Sequence, residues 1–331
     1  MHRPQGGPYT QRERAARYYA SRGLTSAAGH AAPGTINLVT RDNGVGLTAD
    51  MRLLEGILTA AGYSVACVDW TKRQMRPCQV AIFLELWNPI LANFARQTVG
   101  VFNLEWLRDD WRADLPKLTQ LWAKSGEAHQ AYQRLGLASV LTGFASRDLY
   151  DPAVPRTATA LHLKGHSNLK GTETVLQAWA RHPDLPPLTV NSLTPLHAPH
   201  VRLLPRISDR DLVRELNTAQ IHVCPSRSEG WGHYIVEGLS AGAIVITTDA
   251  SPMNEHVQPG WGFLVPPAHT VGRGLAVEHH VDADVLADTV RQAVALTEPQ
   301  RAAMAVRARD HFAQRNEAFR QTALAQLARM C

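Results

Sequence analysis

Short apolar runs alternate with longer segments of helical period through most of this sequence, beginning at Ile36. Such alternation is typical of βαβ units, in which parallel strands form a buried sheet between helices. The pattern occurs twice, before and after segment 151–156 (DPAVPR), which has two prolines and no periodicity and resembles an interdomain linker. With 331 residues there is enough chain for two hydrophobic cores. The sequence therefore predicts an α/β protein with two Rossmann-like domains, whose parallel sheets face each other across a cleft.

The predicted elements divide the chain into an N-terminal extension (1–34), a first domain (35–152), a second domain (153–310) and a last helix (311–331) that bridges back to the first domain. In the first domain, strands are predicted at 36–40, 64–69, 80–84, 99–104 and 138–141, and helices at 49–61 and 125–135. In the second domain, strands are predicted at 160–164, 188–191, 201–204, 221–224, 243–247 and 262–265, and helices at 172–181, 209–218 and 234–241. The extension carries an Arg-rich stretch from Arg12 to Arg22, which we interpret as a solvated tail with one helix.

Charge and cysteine content exclude several classes of protein. The net charge of +5, from 34 Lys and Arg against 29 Asp and Glu, favours anionic ligands but is too small to indicate nucleic acid. The four cysteines are scattered and form no CxxC pair, so neither a structural zinc site nor a disulfide scaffold is supported. No apolar run reaches the roughly 18 residues of a membrane span, and no signal-peptide core follows the N-terminal charges. We expect a cytoplasmic protein.

The segment from Cys224 to Glu255, CPSRSEGWGHYIVEGLSAGAIVITTDASPMNE, carries the densest set of candidate functional residues. Gly230 and Gly232 allow close approach of the backbone to a ligand, and a helix beginning near His233 would direct free N–H groups at a diphosphate. Glu229 precedes the loop and Glu237 follows eight residues later, so both carboxylates can flank one site. Paired carboxylates are suited to binding the vicinal hydroxyls of a ribose or a pyranose.

This block resembles the E-x7-E motif of retaining GT-B glycosyltransferases of the family-four, or group 1, type. The resemblance implies the GT-B fold, with a first domain for the acceptor and a second domain for the nucleotide-sugar donor. It also implies that Glu229 contacts the donor sugar, that the loop from Trp231 to Tyr234 contacts sugar and phosphate, and that Glu237 holds the ribose.

A second segment of the resemblance is KGHSNLKGTETVLQAW, from Lys164 to Trp179. In the family this turn carries an arginine and a KG lysine for the donor diphosphate, and Lys170 with Gly171 matches the KG pair. The arginine is missing here. Counting from the preceding glycine assigns its position to His166, whereas counting back from Lys170 assigns it to Lys164, and both assignments stay open.

Two features of the first domain are weaker matches. Gly44 and Gly46 lie in RDNGVGLTAD, which corresponds to the family's loop over the donor phosphates. The segment FNLEW lies at the strand edge where relatives often carry an active-site histidine, and here Asn103 or Glu105 is the nearest polar substitute. The predicted catalytic residues are Glu229, Lys170, Glu105 and Asn103, and the predicted donor-binding residues are Gly44, Gly46, Lys164, His166, Lys170, Glu229, Gly230, Trp231, Gly232, His233, Tyr234 and Glu237.

Two other functions compete with this prediction. Gly44, Gly46 and Ala49 spell G-x-G-x-x-A, with Asp69 at the end of the next strand, which approaches a dinucleotide fingerprint and would suit an NAD-dependent oxidoreductase. That function leaves the block around Glu229 unexplained. A catalytically inactive nucleotide-sugar-binding protein of the same fold is the other alternative, and the missing arginine and histidine would support it.

Metal-binding patterns are interpreted as structural. Asp282 and Asp284 form a D-x-D pair before an apolar-periodic run, which is typical of a helix cap. We therefore expect a metal-independent hexosyl transfer with retained anomeric configuration and no cofactor beyond the donor. The default acceptor is a glycan or lipid-linked glycan, and the sequence leaves a nucleic-acid acceptor and peripheral membrane contact open.

Overall fold

The structure is a computed structural model that describes residues 31–41, 46–70, 75–194, 196–198 and 201–331. The Arg-rich stretch of the N-terminal extension and the predicted donor-binding residue Gly44 lie outside these ranges. Among the residues that are described, no helix is both long and apolar enough to cross a membrane.

The first sheet has six strands in the order β2-β1-β3-β4-β5-β6. Its strand pairs from β2 through to β5 are all parallel. The strands are β1 (Thr35–Thr40), β2 (Ser64–Asp69), β3 (Cys78–Leu84), β4 (Ala95–Val101), β5 (Gln120–Ala123) and β6 (Val140–Leu141), and the α-helices among them are α1 (Gly46–Ala60), α2 (Pro89–Ala92) and α3 (Gly126–Arg134).

The second sheet also has six strands, and all its pairs are parallel. Its order is β12-β11-β10-β7-β8-β9, the doubly wound order of a dinucleotide-binding sheet. The strands are β7 (Thr157–Gly165), β8 (Leu188–Ser192), β9 (Arg202–Leu204), β10 (Ala219–Cys224), β11 (Ile244–Thr248) and β12 (Gly262–Val265), and the helices are α4 (Thr172–Arg181), α5 (Asp209–Thr218), α6 (His233–Ser240), α7 (Met253–His256), α8 (Ala283–Val294) and α9 (Glu298–Ala328). These two parallel sheets confirm the predicted α/β class.

Apolar side chains cover both faces of the second sheet. One cluster packs α4 and α8 on the strands through residues such as Val175 and Leu286, which have no exposed surface. The other cluster includes Leu161 of β7 and Leu216 of α5. Because both faces are covered, a ligand of this sheet is expected at its edge, beyond the ends of the strands.

Three departures from the predicted elements have identifiable causes. The strand predicted at 99–104 instead runs from Ala95 to Val101, because its polar start (ARQ) obscured the beginning and a 3₁₀ turn at Leu104–Trp106 ends the strand early. The four-residue strand β5 was missed, since a run that short has too little periodicity to recognise. Also missed was an antiparallel hairpin of β13 (Pro267–Arg273) and β14 (Ala276–Val281), whose largely polar strands lack an apolar face.

Contacts between residues divide the chain into two compact units. The first unit comprises 1–102, 108–122 and 323–331, and the second comprises 103–107 and 123–322. The second unit therefore takes the short segment 103–107 from the middle of the N-terminal half. The last residues of α9 belong to the first unit, where Gln79 Nε2 donates a hydrogen bond to the carbonyl of Met330 over 2.9 Å.

Candidate active site

The two predicted motifs of the second unit meet at one place because of the strand order. Strands β7 and β10 are neighbours at the centre of the second sheet, and the chain order reverses between them. The loop after β7, residues 166–171, and the loop after β10, residues 225–232, therefore leave adjacent strand ends. This switch point is the position at which doubly wound sheets bind their ligands.

Gly171 allows the first loop to pack closely against the second. Its φ of +69° is in the left-handed region, and a Cβ built on it would lie 2.1 Å from the carbonyl oxygen of Pro225. No side chain fits in that space, so the KG pair requires glycine at its second position. A backbone hydrogen bond of 2.7 Å from the Arg227 N–H to the Leu169 carbonyl further holds the two loops together.

Lys170 and Glu229 form an ion pair across these loops. The Lys170 Nζ donates to Glu229 Oε1 over 2.6 Å, and only 18% and 11% of the two side chains are exposed. Ser226 Oγ donates to the same carboxylate oxygen over 2.5 Å and accepts from the Tyr234 hydroxyl, which is 2.5 Å away. The ammonium also lies 3.8 Å from the centre of the Tyr234 ring, within range of a cation–π interaction. One cation, one carboxylate and two hydroxyls thus form a single half-buried polar cluster.

The protonation states of nearby groups follow from burial. Burial raises the pKa of the Tyr234 phenol well above its usual value, with the Cys224 thiol and Glu229 adding to the effect, so the phenol keeps its proton and remains a donor. Burial also lowers the pKa of His162 to about 4. This neutral imidazole donates from Nδ1 to the Val223 carbonyl over 2.8 Å and lies 2.8 Å from the Thr172 hydroxyl through Nε2. His162 therefore acts in packing and adds no positive charge to these loops.

The glycine loop fits closely around the segment predicted to replace the family histidine. A Cβ on Gly230 would lie 1.9 Å from the side-chain carbonyl carbon of Asn103, so the two residues are in direct contact. The Asn103 Oδ1 atom is buried without a hydrogen-bond partner among the described residues. An unused acceptor in this position is costly unless a ligand donor completes it. Gly232, with a φ of +90°, then precedes the first residue of α6.

The first residues of α6 are fixed by a hydrogen-bond network around Ser146. The Trp231 indole donates to Ser146 Oγ over 3.0 Å, and the same hydroxyl lies 2.9 Å from His233 Nδ1. Ser146 is held in turn by Asn316, which accepts from its N–H over 3.1 Å and donates to its carbonyl over 2.8 Å. Trp231 is buried, with 3% of its surface exposed. Its buried side chain therefore supports the loop, and only its backbone could contact a nucleotide-sugar donor.

Glu237 lies one turn further along α6 and has a different partner. Its side chain is 8% exposed and accepts from Arg147 Nε over 2.9 Å. Arg147 also lies 3.9 Å from the Asp209 carboxylate. The arginine orients the Glu237 carboxylate.

A cavity of about 400 Å³ opens at the ends of β8 and β9, on the same side as the loop after β7. His166 and Thr194 line it, and Lys164 Nζ donates to Thr194 Oγ1 over 2.6 Å. Both candidates for the missing family arginine are thus associated with this cavity, and the choice between them stays open. The remaining lining residues are Ser192, Leu193, Leu196, Leu203, Leu204, Pro205 and Arg206.

Two further predicted site residues, Gly46 and Glu105, lie in different units. Gly46 begins α1 of the first unit with open space around it, and Glu105 lies in the 3₁₀ turn beside Asn103.

Asp282 caps α8, accepting from the N–H groups of Asp284 and Val285, which confirms its interpretation as a helix cap. Within the described ranges, no group of three His, Cys, Asp or Glu side chains is arranged to hold a metal ion.

Two contributors to the site were missed from sequence. Ser226 belongs to the PS pair that was quoted with the motif, and its place directly after a strand at the switch point was the available signal. Arg147 stands in an irregular segment far from Glu237 in sequence, and nothing in the local pattern indicated that it meets that carboxylate.

Fold and site together define a doubly wound α/β protein with a polar, anion-compatible switch point in its second unit. Comparison with known proteins identifies a family that part of the sequence matches. Residues 196–311, about a third of the chain, match the family described as "Glycosyl transferases group 1". No curated protein matches the sequence.

Solved structures with this fold include a glycosyltransferase from Rickettsia africae (TM-score 0.69, 12% identity, covering 89% of this chain and 98% of that one). A sucrose-phosphate synthase from Thermosynechococcus elongatus has the same TM-score and coverages with 16% identity. HepE from Anabaena, solved in complex with UDP and glucose, has a TM-score of 0.64 and 15% identity, covering 89% and 99%. This chain therefore shares the GT-B fold of these structures, and part of its second unit matches the group 1 glycosyltransferase family.

Proposed function

We propose that this protein transfers a hexosyl group from a nucleotide sugar to a glycan or lipid-linked acceptor, with retention of configuration and without an obligatory metal. The observation that carries the proposal is the Lys170–Glu229 pair at the switch point of the second sheet. A cation and a carboxylate in contact can exchange partners when a donor enters. The ammonium then meets the diphosphate, and the carboxylate accepts from sugar hydroxyls.

Cleavage of the sugar–phosphate bond moves negative charge onto the leaving diphosphate. Lys170 is placed to stabilise that charge, and the N–H groups at the start of α6 provide further donors of positive potential. Tyr234, which stays protonated, and Ser226 hold the Glu229 carboxylate through hydrogen bonds while its ammonium partner turns to phosphate. These groups act on the donor, so the step does not require a metal ion for charge neutralisation.

The nucleoside part of the donor has two candidate contacts. The cavity beside Lys164 has apolar walls for a base, provided by Leu196, Leu203 and Leu204, and polar groups at its rim. Glu237 can accept from the two ribose hydroxyls, with Arg147 orienting its carboxylate. Support for a uridine nucleotide comes from HepE, which was solved with UDP and glucose and has the same fold.

The experiment that tests the proposal is a screen of nucleotide sugars, UDP-glucose first, by thermal shift and by release of nucleoside diphosphate. The expected result is stabilisation by at least one donor together with slow hydrolysis that accelerates when an acceptor is added. Stabilisation without turnover under any condition would favour the inactive donor-binding alternative. If no nucleotide sugar binds, and NAD binds instead, the proposal is wrong.

Metal independence is tested on the same reaction. Initial rates with excess chelator should equal the untreated rate, because Lys170, a second cation at Lys164 or His166 and the α6 amides can together neutralise the diphosphate. Complete loss of activity that manganese restores would contradict this part of the proposal.

A further inference from the structure

The β13–β14 hairpin places a cationic and aromatic surface next to the donor loops. Strand β14 packs against the 3₁₀ turn Leu104–Trp106, which directly follows Asn103. A backbone hydrogen bond of 2.7 Å from the His279 N–H to the Arg227 carbonyl joins the hairpin to the loop two residues before Glu229. The hairpin therefore borders the proposed donor site within the second unit.

Two arginines of this surface share one carboxylate. Arg273 donates to Glu278 Oε1 over 2.8 Å, and Arg227 lies 3.8 Å from Glu278 Oε2. Each arginine also has a buried Nε–H without an acceptor among the described residues. Glu173, 4.0 Å from Arg227, is 84% exposed and so contributes little screening. The two guanidinium groups thus have more donors and more positive charge than Glu278 satisfies.

An exposed indole lies beside these charges. Trp106 has 55% of its surface exposed, and the Arg273 guanidinium lies 5.1 Å from the centre of its ring. A large exposed aromatic with a cation beside it is suited to a sugar ring, whose C–H face stacks on the indole while its polar groups reach the cation.

Two neighbouring imidazoles, those of His279 and His280, do not add charge at neutral pH. His269 and His280 stack with ring centres 4.5 Å apart. Burial lowers the pKa of His280, and Arg227 and His269 lower it further, while Glu278 opposes the shift. Burial and His280 likewise lower the pKa of His279. The fixed charges of the surface are therefore the two arginines and one glutamate.

We propose that Trp106, Arg227 and Arg273 form an acceptor subsite for a saccharide that carries a negative charge on its ring, as a carboxylate or a sulfate. The indole stacks on the sugar, and the guanidinium groups bind its anionic substituent in the way that they already bind the Glu278 carboxylate. This subsite rests on the proposed glycosyl transfer and names the class of acceptor for the same site.

The test is direct binding of oligosaccharides to the full-length protein, measured by tryptophan fluorescence and calorimetry. The probes are tetragalacturonate, a sulfated tetrasaccharide and the neutral maltotetraose. Variants Arg273→Gln and Trp106→Ala are compared with Arg320→Gln, which removes one charge from a surface ion pair on α9. Binding of either acidic probe supports the subsite, and the relative affinities tell a carboxylate from a sulfate.

We expect at least one acidic probe to bind more tightly than maltotetraose. Arg273→Gln and Trp106→Ala should weaken it by about tenfold, whereas Arg320→Gln should change affinity by less than about twofold. Equal loss in Arg273→Gln and Arg320→Gln, with none in Trp106→Ala, would show that attraction is only to the net charge and would overturn the proposal, as would equal binding of maltotetraose or no binding of an acidic probe. Stabilisation by the nucleotide sugar is measured on the same proteins, so a failure of the donor proposal appears separately.

Discussion

The two sheets of this protein each have a switch point, and the loops that follow β10 and β3 at these points differ sharply. In the second sheet the loop after β10 brings Glu229 and Ser226 to Lys170 of the neighbouring loop. In the first sheet the corresponding loop after β3 buries Leu86 and Trp87 instead, and the Trp87 ring packs edge-on against Phe83 at 5.0 Å. The loop after β10 thus contributes polar side chains to a candidate site, whereas the loop after β3 buries two apolar side chains.

The difference shows that the position of a ligand site is set by topology, while its chemistry is set by a few loop residues. Parallel strands bring loop ends together in both units. In the second unit those loops place a cation, a carboxylate and glycines that allow close approach at that point. The variants below compare the two switch regions, beginning with the largest expected effect.

Removing the charge of Lys170 should have the largest effect. Lys170→Met is expected to lower the rate of nucleoside diphosphate release by about 10²- to 10³-fold, since the cation is needed most as charge develops on the leaving group. Affinity for the nucleotide should fall much less. The matched control is Lys117→Met, which breaks an ion pair with Asp114 in the first unit and should leave both quantities unchanged. Loss of binding equal to the loss of rate would mean that Lys170 serves the ground state only.

Adding a methyl group at the loop contact should strongly destabilise the second unit. Gly171→Ala introduces a Cβ 2.1 Å from a carbonyl oxygen at a φ of +69° and should lower the free energy of unfolding by about 3 kcal/mol. Gly34→Ala in the first unit has the same φ but open space, so it should cost only about 1 kcal/mol. Urea denaturation measures both. Equal costs would show that backbone conformation alone matters and that the contact with Pro225 does not.

Glu237→Ala should weaken binding of the nucleoside diphosphate by about 1.5 to 3 kcal/mol, because it removes a charged acceptor for the ribose hydroxyls. Glu55→Ala on α1 of the first unit serves as the control. Calorimetry with UDP, or with the nucleotide that the screen identifies, gives the comparison. Unchanged affinity in a folded Glu237→Ala protein would reject the ribose contact.

The smallest effect concerns Glu127, at the start of α3 in the second unit. Burial, followed by repulsion from Glu255, raises the pKa of Glu127 from 4.5 to about 7. The folded state therefore binds this proton more tightly than the unfolded state, so the stabilisation is complete below about pH 4.5 and is lost as the pH rises through 7.

Glu127→Gln removes that loss. Relative to wild type, its free energy of unfolding should rise by about 1 to 2 kcal/mol between pH 5 and pH 8.5, discounted for partial exposure. Glu173→Gln, whose side chain is 84% exposed, should show no such change. Parallel pH dependence in wild type and Glu127→Gln would contradict the raised pKa.

The sequence predicted the second unit better than the first for a physical reason. Most of its strands and helices have clear ends, and the bounds of β12, α4 and α5 were predicted to the residue. Short or polar elements such as β5 and the hairpin were missed, because their stability comes from neighbours rather than from local periodicity. The resemblance placed Glu229 and Lys170 in one site, and the structure brings them into contact.

Contacts between residues that are far apart in the chain could not be predicted from the sequence. Nothing local indicates that Arg147 meets Glu237 or that Asn103 lies against Gly230. Both contacts depend on where irregular segments are held by tertiary structure. The roles assigned to these residues in donor binding remain proposals, as does the division of the chain between acceptor and donor.

Hydrogen–deuterium exchange with and without a saturating nucleoside diphosphate tests most directly whether the donor site is built at the switch point of the second sheet. Peptides that cover 165–171 and 226–238 should gain the strongest protection, because the proposed donor site places their backbone amides against the diphosphate and the ribose. Peptides of the loop after β3 should change little. Unchanged exchange in both second-unit segments, with protection elsewhere, would contradict the assignment of the donor to Lys170, Glu229 and Glu237.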